Sequence, residues 1–101
     1  MHQKRFISYL SSEKRFSVHT ITSYSIDIRQ FILFLKDEYQ ITTEISDISF
    51  QIVRSWIVSL LEQGISPRSV NRKISTLKTY FKFLIREGFI HKNPMIKVVS
   101  P

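Results

Sequence analysis

Between Ser17 and Gln40 the residues Ile21, Tyr24, Ile28, Phe31, Ile32, Leu35 and Tyr39 recur every three or four positions, a stripe about five helical turns long. A strand would need alternation and a loop would need none, so this spacing requires an α-helix with one buried face. Ser17 is suited to cap it, which predicts a helix from there to about Glu38. A buried face of that length needs partners, and the rest of the chain supplies three more helices of the same kind. Phe6, Tyr9, Leu10 and Glu13 pattern a short one over about Gln3 to Lys14. The polar stretch Gln40 to Ser49 interrupts the period, and Asp47 or Ser49 can cap a third helix carrying Phe50, Val53, Ile57, Leu60 and Leu61, with Gly64 as its C′ stop. The fourth is bounded by Ser66 as N-cap, Pro67 at the first helical position and Gly88 at C′. Its apolar stripe is Val70, Ile74, Leu77, Phe81, Leu84 and Ile85, with Arg68, Arg72, Ser75, Thr79 and Arg86 opposite and Ser69, Lys73 and Thr76 on one shoulder.

The expected fold class is therefore all-α, four helices arranged as two crossed helical hairpins. Trp56 and Phe83 lie off the centre of their stripes and are read as filling helix crossings, the other reading being a contact with a further domain or a neighbouring protomer. Asp27 and Arg29 are expected on the exposed side, with Asp27 placed to pair with a neighbouring helix. Two Gly, three Pro and no Cys exclude glycine-rich phosphate loops, thiolate chemistry and disulfides, and fit a reducing cytoplasm. No apolar run reaches the roughly 20 residues of a membrane span. His2, His19 and His91 lack ligand-spaced partners, and Asp37-Glu38 stand at a helix end beside a polar loop. No metal, cofactor or acid-base site is expected.

Charge is segregated. Residues 1–63 carry seven Lys/Arg and seven Asp/Glu; residues 64–101 carry eight Lys/Arg and only Glu87, which accounts for the net +7. Three of those cations, Arg68, Arg72 and Lys73, fall in the first two turns of the fourth helix, where the macrodipole is already positive and each costs on the order of a few tenths of a kcal/mol. Folding does not favour that placement; a bound polyanion reverses its sign.

The segments Ser17-Val18-His19-Thr20-Ile21-Thr22-Ser23-Tyr24, Asp27-Ile28-Arg29-Gln30-Phe31-Ile32-Leu33-Phe34-Leu35, Gly64 to Lys78, Tyr80 to Leu84, Glu87-Gly88 and Asn93-Pro94 resemble, in order and separation, the SAM-like N-terminal core-binding domain of tyrosine recombinases and phage integrases, especially those of Xer type. The resemblance implies double-stranded DNA binding in integration and recombination, with a separate C-terminal catalytic domain of the same parent protein and other recombinase protomers on DNA as partners. It implies a domain over residues 1–90, with 91–101 beginning a linker to a catalytic domain that the chain lacks. Tyr9, Tyr24, Tyr39 and Tyr80 are accordingly not read as nucleophiles, and the chain itself is expected to be non-catalytic. By resemblance, DNA is met by His19, Thr20, Thr22 and Ser23 of the second helix and by Arg68, Ser69, Arg72, Lys73 and Thr76 of the fourth. Two other readings share the charge pattern: a stand-alone helix-turn-helix-like regulator, which requires dimerisation, and a basic protein-interaction module.

Overall fold

The 20-residue helix Pro67–Arg86 is the element on which the others are assembled. A computed structural model describes residues 1–101, in the order α1 (Gln3–Ser12), α2 (Val18–Tyr39), a 3-10 turn (Ile45–Asp47), α3 (Phe50–Glu62) and α4 (Pro67–Arg86), with no strand. The all-α expectation holds: α1 and α2 form one hairpin, α3 and α4 the other, and both α2 and α3 pack on α4. No helix is long and apolar enough to cross a membrane.

Local chemistry explains the boundaries. Ser17, Ser49 and Ser66 each accept a hydrogen bond from the backbone N–H three residues on, so each satisfies a donor the helix start leaves orphaned. Ser49 is thus the cap of α3, while Asp47 closes the 3-10 turn. Gly64 and Gly88 take φ of 85° and 78° just beyond α3 and α4, where a side chain would be strained. Arg15 and Gln40 adopt the same left-handed region, at 53° and 55°, without being glycine.

The core is wider on α4 than its six-residue stripe. Lys73, Thr76, Tyr80 and Phe83 are buried along with Val70, Ile74, Leu77, Phe81 and Leu84, whereas Ile85 is partly exposed. The cause is that three helices surround α4. Phe6 of α1 sits edge-on to Tyr80 with centroids 5.1 Å apart, and Tyr9 meets Phe83 at 5.0 Å, while Phe31 of α2 fills the crossing with Trp56 of α3 at 5.0 Å. Trp56 and Phe83 are packing residues, as expected. Tyr39, assigned to the α2 stripe, is exposed, its hydroxyl donating to Ser55 at 2.8 Å.

Tyr80 donates its hydroxyl to the Met1 carbonyl, and burial pushes its phenol far above the ordinary tyrosine range. A raised folded-state value means that stability is intact below the unfolded value of 10.0 and is lost as pH rises beyond it, because only the unfolded chain ionises there. Tyr80→Phe is expected to cost about 1 kcal/mol at neutral pH from the lost hydrogen bond and to flatten the alkaline fall in stability, measured by urea unfolding between neutral and strongly alkaline pH.

The segment after Gly88 forms neither helix nor strand, yet it belongs to the packed body. Ile90, Pro94 and Met95 are buried, and the Asn93 side chain accepts from the Met95 N–H at 2.9 Å. His2 stacks on Phe89 at 3.6 Å, nearly parallel, and Arg5 lies over the same ring while pairing with Glu87. The N-terminal residues are thereby held against the turn that follows α4.

Candidate nucleic-acid interface

Ser66 begins the fourth helix by accepting from the Ser69 N–H at 3.2 Å and donating to the Ser69 hydroxyl at 3.2 Å. Pro67 follows at the position where its missing N–H costs nothing. Ser69's hydroxyl is therefore engaged in the cap. Arg68, next in the chain, is exposed and takes part in none of the domain's ion pairs.

One turn on, the chemistry changes. Asp27 of α2 is wholly buried, so its expected exposure is wrong while its pairing with a neighbouring helix is right. Its Oδ1 accepts from Arg72 Nη2 at 2.8 Å and from Lys73 Nζ at 3.0 Å, and its Oδ2 accepts from Thr76 Oγ1 at 2.9 Å. Lys73 also donates to Gln30 Oε1 at 2.6 Å. The cause is topological: α2 crosses α4 with position 27 facing it, and a carboxylate in that crossing must be paired to be tolerated. Lys73 and Thr76 are therefore buried in the α2–α4 crossing instead of on an open shoulder of the helix. Arg72 keeps about half of its side chain exposed, with 52% of its area open.

On α2, Ser17 accepts from the Thr20 N–H and donates to the Thr20 hydroxyl at 3.0 Å, and Thr22 donates to the Val18 carbonyl at 2.9 Å. Those hydroxyls serve their own helix start. His19 is exposed and Ser23 half-buried; with Asp27 they form an i, i+4, i+8 row, just as Arg68, Arg72 and Thr76 do on α4. The two rows meet at Asp27. The structure thus brings together Arg72, Lys73 and Thr76 around Asp27, and places His19 and Ser23 on the same row of α2; Thr20 and Thr22 lie off it. Gln30 and the anchoring role of Asp27 were not among the expected site residues, although position 27, three after Tyr24 and four before Phe31, falls within the apolar stripe.

Residues 4–88 match the family described as phage integrase, N-terminal SAM-like domain. The chain belongs to that family. Curated relatives agree: the chain is 40% identical over 96 residues to a tyrosine recombinase XerC of Oceanobacillus iheyensis, 38% to that of Listeria innocua and 36% over 98 residues to that of Bacillus subtilis. These alignments cover 95–97% of this chain but only 31–32% of each relative, so the chain spans about a third of the length of the relatives it matches. No solved structure matches the chain. Within the family's fold, the α2–α4 crossing holds the ion-paired Arg72 and Lys73, with the unpaired Arg68 one turn away on α4.

Proposed function

We propose that this SAM-like domain binds double-stranded DNA and positions it for a catalytic domain of a tyrosine recombinase, itself contributing no chemistry. The observation that carries the reading is the state of the first two turns of α4. They contain no acid of their own, Arg68 meets no carboxylate, and Arg72 is only half withdrawn from solvent, so positive charge stands where the helix dipole opposes it. Arg68 and Arg72 contact the duplex, and His19 and Ser23 approach it from α2. Lys73 and Thr76 act from beneath, through Asp27. The relatives' names, all tyrosine recombinases, support the same reading.

The test is anisotropy of a labelled duplex titrated with the chain across a salt series. Each phosphate neutralised contributes about −0.9 to the log–log salt slope, so Arg68→Ala/Arg72→Ala is expected to flatten it by about 1.8 and to remove most low-salt binding. An unchanged slope in the folded double variant, or equal binding to duplex DNA and an acidic polymer at matched ionic strength, would overturn the reading.

A further inference from the structure

Asp27 has more cationic partners than neutralisation requires. Lys73, whose side chain is 7% exposed, lies 3.0 Å from Oδ1 and already balances the carboxylate, while Thr76 satisfies the other oxygen. Arg72 is then redundant for burial, yet it places a single nitrogen, Nη2, on Oδ1 at 2.8 Å while about half of its side chain stays open to solvent. A guanidinium carries five N–H donors in a rigid fork, so one end is held and the remaining donors are unspent. Only the arginine end of this pair is open to solvent, so Arg72 adds less to stability than the enclosed Lys73 does. Its consequence is conformational: the long side chain is fixed before any ligand arrives.

We infer that Asp27 is a positioning residue, holding Arg72 so that the free edge of its guanidinium meets a base edge in one orientation. The inference rests on the proposed DNA-binding reading. Arg68 provides an internal comparison, because it stands one turn earlier on the same row with no carboxylate to hold it. Arg68 acts as a mobile point charge and Arg72 as an oriented fork.

The two possible effects of Asp27 on DNA have opposite signs. Its negative charge weakens the local attraction for any polyanion, so removing it raises sequence-independent affinity. Its hold on Arg72 spares the ordering of that side chain on binding, an effect of about tenfold in affinity, realised only where the oriented fork finds its acceptor.

The experiment selects a duplex from a random-sequence pool with the unmodified chain, then measures anisotropy on that duplex and on an unselected one, at a temperature where every variant is folded by circular dichroism. Asp27→Asn is expected to lose about tenfold on the selected duplex and to bind the unselected one slightly more tightly. In the Arg72→Ala background the same substitution is expected to lose nothing further. Arg72→Lys, which keeps the charge on a half-exposed site, is expected to lose about as much, and Arg68→Lys less than about threefold. The inference is overturned if Asp27→Asn binds the selected duplex as well as the unmodified chain, if it loses the same factor whether or not Arg72 is present, if Arg72→Lys is neutral, or if the pool enriches no sequence. The underlying reading fails separately, by an unmodified chain that binds no duplex or by an Arg68→Ala/Arg72→Ala variant that binds as before.

Discussion

Asp27→Ala is expected to destabilise the domain by about 3–5 kcal/mol, because it strands the Lys73 ammonium in a site almost closed to solvent. Gln30, whose Oε1 stays within 2.6 Å of Lys73 Nζ, offsets part of that cost, so the lower half of the range is the expected value. Thr76 is not orphaned, since its hydroxyl also reaches the Arg72 carbonyl at 3.2 Å. Asp27→Ala/Lys73→Met is expected to regain most of the loss, because a buried ion pair exchanged for apolar packing is often neutral or better. Chemical denaturation of the two variants decides it. A domain of this size has a total stability of about 5–15 kcal/mol, so the single variant approaches the limit of folding at ambient temperature. Equal stability of the single and double variants would mean that Lys73 finds solvent when released, and that the pair contributes little to closing the α2–α4 crossing.

Which parts of this arrangement the sequence discloses follows from how local each signal is. Ser17, Ser66, Pro67, Gly64 and Gly88 mark helix ends through hydrogen bonds and backbone angles fixed within a few residues, and the helices begin and stop where these predict. The reversals at Arg15 and Gln40 use the same left-handed geometry without a glycine, so no residue type marks them. The core of α4 was legible only along its central stripe. Whether Lys73, Thr76, Tyr80 and Phe83 are buried depends on how many helices pack around α4, and the α4 sequence alone does not contain that number. The interface was hidden most by charge type: Asp27 fits the apolar period of α2, but a carboxylate reads as a surface group until its partners on α4, 45 to 49 residues away, are brought to it. Lys73 then reads as a free cation for the same reason.

Phe89 to Met95 shows how a segment without periodicity can still be structural. Shortening the chain to end at Gly88 is expected to cost about 3–6 kcal/mol, from exposing the sites now filled by Ile90 and Met95 at roughly 1.5–3 kcal/mol each. Both side chains are at most 5% exposed, and the Phe89 ring that would also be removed carries the His2 stack and the Arg5 contact. Met95→Ala alone is expected to lose about 2–5 kcal/mol, the range for a buried long side chain that leaves a cavity. Shortening to end at Val98 retains all three residues and the partly buried Val98, and is expected to stay within about 0.5 kcal/mol of the full chain, since Val99 is 83% exposed. Thermal and urea unfolding of the three variants separate a tether from a packed segment: a tether predicts that all three unfold like the full chain, whereas packing predicts a loss in the Gly88 and Met95 variants only. The second pattern would place the start of any flexible connection after Met95, because the Asn93-Pro94 turn directs the chain back onto the body before it is released.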